Sequence, residues 1–179
     1  SIEKHSNQRM SLLFKNIIRF LLIMFIQIFM LNKIPPLHQF IVPSFYFVFI
    51  LWLPFKIGRT ALLFIGFATG MVVDMFFKTP GLHAAACVLI AFARPSLINL
   101  LLPKEATDWG NEEPTKKTMG SVPYTTYLII LTLLHHFYLI LLEWMQFGSF
   151  LYFISKLVAT SLVSLLLILI ADLFFNRKS

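Results

Sequence analysis

Long apolar runs separated by short polar connections constrain this chain more than any other feature of its sequence. The runs occupy residues 16–31, 37–53, 60–77, 82–102, 124–145 and 150–175. About 20 apolar residues in a helix cross the roughly 30 Å hydrocarbon core of a bilayer. With 58% hydrophobic residues and a mean hydropathy of +0.80, the chain is too apolar for a soluble domain of this size. The sequence therefore predicts an all-α integral membrane protein, a bundle of six transmembrane helices.

The basic residues predict how these spans are connected and oriented. If the N-terminus is cytoplasmic, twelve of the fifteen Lys and Arg residues lie inside, and only Lys33, Lys78 and Lys156 lie outside. Cytoplasmic loops carry an excess of Lys and Arg, so both termini are predicted to be cytoplasmic. The predicted order is a cytoplasmic tail at 1–15, spans one to four within 16–102, a cytoplasmic linker at 103–123, spans five and six within 124–175, and a cytoplasmic tail at 176–179. Basic residues that flank the predicted spans account for the net charge of +7, and no nucleic-acid-binding motif accompanies them.

Prolines interrupt this pattern at three places. Pro35-Pro36 predicts a stiff turn after the first span, and Pro43 predicts a kink or a late helix start in the second. Arg94-Pro95 leaves two alternatives for the fourth span. The helix either continues to residue 102 or ends at the proline, with residues 96–102 lying along the inner surface as an amphipathic piece.

A predicted helix hairpin from residue 66 to 86 carries the most informative polar residues. Gly66, Gly70 and Asp74 recur every four residues, so they share one narrow stripe of a helix. The glycines leave a groove in which another helix backbone can come close. Pro80-Gly81 breaks the helix, and the next one opens with His83 and the small residues 84–86. We expect Asp74 and His83 to face each other across this turn.

Two interpretations of these polar residues remain open. Asp74 either packs and accepts hydrogen bonds or carries a proton or a substrate, and the first is favoured because it lies towards the outer end of its span. His83 is read as an interfacial histidine. His135 and His136 are adjacent, so they point about 100° apart and do not form the usual i, i+4 metal pair.

Other polar residues receive structural interpretations. Glu143 lies seven residues after His136 and could share its helix face, but a structural ion pair with Lys156 across the outer turn is the preferred interpretation. Asp172 is read as an exposed charge at a helix end, balanced by the basic residues after it. Arg19 is expected to extend its head group to the inner interface. The single cysteine, Cys87, reads as a small core residue. No catalytic motif, metal site or cofactor site is predicted.

The pattern resembles the MreD family, the small polytopic membrane proteins of the bacterial rod-shape machinery, in the version found in Bacteroidetes-type bacteria. The residues that carry the resemblance are Asn16-Ile17-Ile18-Arg19-Phe20, Leu53-Pro54-Phe55, Gly66-x3-Gly70-x3-Asp74, Pro80-Gly81-Leu82-His83-Ala84-Ala85-Ala86 and Ala91-Phe92-Ala93-Arg94-Pro95. The resemblance is strong only from about residue 53 to 95. It implies that Gly66, Gly70, Asp74, Gly81, His83, Ala84 and Arg94 serve helix packing or partner binding.

The resemblance also implies a function. Members of that family are non-enzymatic and work in the inner membrane with the single-span protein MreC, near MreB and the elongation peptidoglycan synthases. The family is similar in fold to the substrate-binding components of energy-coupling-factor vitamin transporters, which gives a second hypothesis. Those components present small residues on their first helix, whereas residues 16–31 contain no Ala or Gly. An intramembrane enzyme using Asp74 and the histidines is the third and weakest alternative.

Overall fold

The computed structural model describes residues 2–31, 43–102, 112–147 and 149–175. Every regular element within these ranges is a helix. They are α1 (Ile2–Phe25), which continues as a π-helical turn (Ile26–Met30), α2 (Val48–Leu51), α3 (Arg59–Phe77), α4 (Leu82–Leu101), α5 (Lys116–Met119), α6 (Ser121–Phe147) and α7 (Phe150–Phe175).

Five helices in the described ranges are long and apolar enough to cross a membrane. Their candidate spans are Met10–Met30, Arg59–Phe77, Leu82–Leu101, Ser121–Leu142 and Phe150–Phe175. The prediction of an all-helical protein is therefore confirmed within the described ranges, and five of its helices could span a membrane, which suggests a multi-pass membrane protein. The predicted count of six spans is not reached in the described residues, because the second predicted span differs from the others.

The second predicted span, residues 37–53, is a central segment rather than a continuous long helix where it is described. Residues 43–47 are not α-helical, and only the four residues of α2 form a short helix. Every residue from 44 to 54 is buried, with contacts to α1, α3 and α4. The expected late helix start after Pro43 agrees with this geometry. Residues 37–42 and the turn predicted at Pro35-Pro36 lie outside the described residues.

Side chains of the π-helical turn after α1 and of α7 accept hydrogen bonds from the backbone of this central segment. The Gln27 amide oxygen accepts hydrogen bonds from the Phe45 and Tyr46 amides at 2.8 and 3.3 Å. The Ser44 amide donates to Ser164 Oγ at 3.4 Å. Backbone that departs from a helix at membrane depth must find protein partners, because lipid offers none. The π-helical turn of α1 places Gln27 where it can supply them.

The helices α3 and α4 form an antiparallel hairpin at the centre of the helix packing. They make the most extensive helix pair, α4 also packs on α6, and α6 packs on α7. Of the two alternatives for Arg94-Pro95, the structure contains the continuous helix, since α4 runs through Pro95 to Leu101. Within the region predicted as a linker, residues 112–120 contain α5, whose Met119 is buried. The first predicted tail, at 1–15, is helical from Ile2.

Candidate functional site

Asp74 closes the α3–α4 hairpin by accepting hydrogen bonds from the start of α4. Its Oδ1 lies 3.0 Å from the His83 amide, 2.8 Å from His83 Nδ1 and 2.9 Å from Thr79 Oγ1. Its Oδ2 accepts from the Ala84 amide at 3.0 Å. The residue before α4 is Gly81, at φ +85°, which has no side chain to cap the helix. A carboxylate from the preceding helix therefore takes the place of an ordinary N-cap.

The glycines of α3 allow the two backbones to come close enough for this capping. A Cβ on Gly70 would lie 2.5 Å from both the His83 carbonyl oxygen and the Ala84 amide nitrogen. A Cβ on Gly66 would lie 3.0 Å from the Cys87 carbonyl oxygen and the Ala91 Cβ. Contact is thus tightest one turn before Asp74. The structure brings together the predicted residues Gly66, Gly70, Asp74, His83 and Ala84 in one seam, whereas Gly81 lies exposed in the turn before α4.

Arg94 lies at the other end of α4 and is separate from that seam. Its side chain is only 1% exposed. The guanidinium donates through Nε to Tyr127 Oη at 2.9 Å and through Nη2 to the Leu53 carbonyl. Tyr127 in turn donates to the Leu51 carbonyl at 2.8 Å. Arg94 and Tyr127 therefore tie α4 and α6 to the end of the central segment, a contact that sequence reasoning missed.

A row of polar and aromatic side chains crosses the interior near the histidines. The His83 ring packs edge-on against Tyr46 with centroids 5.8 Å apart. The Tyr46 hydroxyl lies 2.8 Å from His135 Nε2. The neighbouring His136 contacts Ser164 Oγ at 3.1 Å and the Thr132 carbonyl at 2.9 Å. The two adjacent histidines thus point to different partners, as their spacing predicted.

A second buried polar cluster links the start of α6 to α7 and corrects the interpretation of Asp172. Asp172 is 7% exposed and accepts a hydrogen bond from Tyr124 Oη at 2.7 Å. Tyr124 accepts from Trp52 Nε1 at 3.0 Å. Asp172 is therefore an interior acceptor, not an exposed charge at a helix end. The sequence pattern did not predict this cluster, because Trp52 and Tyr124 come from segments that are distant in sequence.

Arg19 is also more buried than predicted. It is 3% exposed, donates to Glu113 Oε2 at 3.0 Å and lies over the Trp52 ring. Lys15 reaches the same carboxylate at 3.3 Å. The pair fastens α1 to the segment before α5. The predicted contact between Glu143 and Lys156 cannot be placed, because Glu143 lies outside the described side chains; Lys156 is buried and lies over the Tyr152 ring.

These arrangements are chemically suited to holding helices in fixed register. Among the described residues, no three His, Cys, Asp or Glu side chains come together to hold a metal ion. Cys87 is buried with a free thiol in the α3–α4 seam, consistent with its predicted place in the core.

No family model, curated protein or solved structure matches this chain. The resemblance to the MreD family therefore stays a prediction from the residues quoted for it.

Proposed function

We propose that this protein is a non-enzymatic inner-membrane component of the bacterial elongation complex, which scaffolds or regulates a MreC-like single-span protein. Through that partner it acts near MreB and the elongation peptidoglycan synthases in determining cell shape. The main support for this proposal is that the residues that carry the resemblance make contacts between helices. Gly66, Gly70, Asp74, His83 and Arg94 all contact protein and brace the hairpin or its neighbours.

The structure supports a scaffold for a physical reason. Four charged or polar side chains quoted for the resemblance position helices, and a rigid bundle offers a partner a fixed surface; they are Arg19, Asp74, His83 and Arg94. Large apolar side chains along α1, among them Phe14, Ile17, Leu21 and Phe25, are more than half exposed. Such a face suits lipid or the single span of a partner. The outer surface therefore remains available while the interior holds the helices in register.

The finer topology belongs to the same proposal. We place the N- and C-termini in the cytoplasm, on the charge asymmetry of the connections. We count the segment at 37–53 as the sixth membrane segment and propose a bundle similar in fold to energy-coupling-factor substrate-binding components, a likeness that rests on the resemblance to the MreD family. The termini and the cytoplasmic ends of the spans then face the cytoskeletal side of the complex.

Depletion in a rod-shaped bacterium tests the function directly. Depleted cells should become round or swollen, and the tagged protein should co-purify with a single-span membrane protein that contains a coiled coil. Two variants in the same helix sharpen the test. Gly70→Leu should disrupt the hairpin and fail to restore shape, whereas Ala68→Leu, on an exposed face of α3, should restore it.

A different result of the depletion experiment would favour the transport hypothesis. If depleted cells kept their shape and lost uptake of one vitamin, the protein would be a substrate-binding transporter subunit. Membrane levels of each variant must be measured by immunoblotting, because a shape defect with no protein in the membrane reports instability only.

A further inference from the structure

A cavity of about 320 Å³ lies between the start of α3 and the last turns of α4. Its lining includes Gly58 and Arg59 from the start of α3, and Arg94, Ile98 and Asn99 from α4. Volumes near this value are typical of sites for small ligands. Because Arg59 begins one candidate span and Leu101 ends the next, the cavity lies where these helices leave the membrane.

Arg94, which lines this cavity, brings a buried positive charge to its wall. Arg94 is almost fully buried, and its two hydrogen-bond acceptors, Tyr127 Oη and the Leu53 carbonyl, are both neutral. Within the described ranges, no carboxylate forms an ion pair with it. A buried cation without a counter-ion is costly, and a bound anion would lower that cost.

Three further features favour an anion with several oxygen atoms. Arg59 adds a second positive charge to the cavity wall from an exposed position. Asn99 also lines the wall, and an asparagine side chain has amide donors for such an anion. At Gly58 the first turn of α3 has no side-chain cap, so its amide groups add positive potential on the same side. Two guanidinium groups are the usual partners of phosphate.

We propose that this cavity, defined by Arg59, Arg94 and Asn99, binds a phosphate group, either in the headgroup of an anionic phospholipid or as a free phosphate anion. The position of the cavity at the end of two spans places it at the level of lipid headgroups. Basic pockets between membrane helices bind such headgroups elsewhere. This inference is independent of the partner proposed above, because it depends only on the cavity and its charges.

Binding to the purified full-length protein tests the site. The protein in a neutral detergent would be titrated with short-chain phosphatidylglycerol, with short-chain phosphatidylcholine and with inorganic phosphate, and binding followed by native mass spectrometry and thermal stability. Phosphatidylglycerol should bind and raise the melting temperature more than phosphatidylcholine. If inorganic phosphate binds equally well and displaces the lipid, the phosphate group alone is the ligand; if it does not compete, the headgroup of a lipid is.

Variants separate the site from general attraction between a basic protein and an anionic lipid. Arg59→Gln should weaken binding about fivefold, the effect of one basic residue near a membrane surface. Lys56→Gln removes an equal charge from the same connection but does not line the cavity, and it should leave binding unchanged. Arg94→Gln should weaken binding further. If Arg94→Gln does not fold, Arg59→Gln alone still tests the site. Equal weakening in Arg59→Gln and Lys56→Gln, or no preference for phosphatidylglycerol over phosphatidylcholine with no binding of phosphate, would overturn the proposal.

Discussion

Replacing Gly70 with alanine should damage the α3–α4 hairpin more than any other single added methyl group in that seam. The new Cβ would lie 2.5 Å from the His83 carbonyl oxygen and the Ala84 amide nitrogen. Both are backbone atoms, so no side-chain rotation relieves the contact. At Gly66 the corresponding distance is 3.0 Å, and the nearest atoms include the Ala91 side chain. Gly66→Ala therefore requires a shift of only a few tenths of an ångström.

The magnitude follows from the required movement. Non-bonded atoms pack at about 3.5 Å, so Gly70→Ala must separate the backbones by about 1 Å, which forfeits a quarter to a half of the dispersion energy along the contact. Overpacking of this kind costs about 1–3 kcal/mol. The Asp74 bonds one turn away would lengthen as well, at about 0.6 kcal/mol for each bond lost in a membrane protein. A gain of about 1 kcal/mol from replacing glycine within a helix opposes these losses. The net expectation is a loss of about 2 kcal/mol for Gly70→Ala and less than about 1 kcal/mol for Gly66→Ala.

Reversible unfolding in mixed micelles of detergent and sodium dodecyl sulfate measures this difference. Ala68→Val is the matched control, because Ala68 lies on an exposed face of the same helix and the substitution also adds apolar volume. The control should change the free energy of unfolding by less than about 0.5 kcal/mol. If Gly70→Ala were as stable as Ala68→Val, the close backbone approach described here would be wrong.

Three further predictions concern the capping carboxylate, the inner polar cluster and the topology. Asp74→Asn keeps one acceptor oxygen and leaves one backbone amide of α4 without its acceptor, so it should lose about 1–3 kcal/mol of stability. Asp74→Leu leaves both the His83 and the Ala84 amides without an acceptor and should lose about twice as much; equal loss of stability and function in both variants would favour a proton or substrate relay. Tyr124→Phe removes the acceptor of the Trp52 indole and the donor to a buried carboxylate of α7, and it should destabilise the protein by about 1–2 kcal/mol and alter the fluorescence of that tryptophan; an unchanged spectrum and stability would contradict the cluster. Reporter fusions after Lys78 should read as external and those within 103–123 as cytoplasmic, and an external signal from the second site would refute the proposed orientation.

The hairpin could be predicted from sequence because its information is local. Gly66, Gly70 and Asp74 share a helix face by their spacing alone, and Pro80-Gly81 fixes where the chain turns. The contact between Asp74 and His83, expected across that turn, is present at 2.8 Å. Residues nine apart around a tight turn have few alternative arrangements. Periodicity and turn chemistry were therefore sufficient.

The central segment and the two inner contacts could not be predicted in the same way. A Phe-rich apolar run is compatible with a lipid-facing helix and with a buried segment of the core, and periodicity does not separate the two. Arg94 finds Tyr127 and the Leu53 carbonyl, and Asp172 finds Tyr124, across 33, 41 and 48 positions of sequence. Such pairs depend on helix tilt and rotation, which packing against several neighbours determines.

The position of Arg94 has a consequence for the order in which the chain enters the membrane. Helix hairpins insert early during synthesis, and α3 and α4 can close on Asp74 using only residues already made. The Leu53 carbonyl has also been synthesised by then, but Tyr127 is 33 residues later. Until α6 arrives, Arg94 lacks its second acceptor, so the charge favours a hairpin that stays near the membrane boundary. The contact between Arg94 and Tyr127 can form only after α6 has been made, so α6 completes the hydrogen bonding of this buried charge.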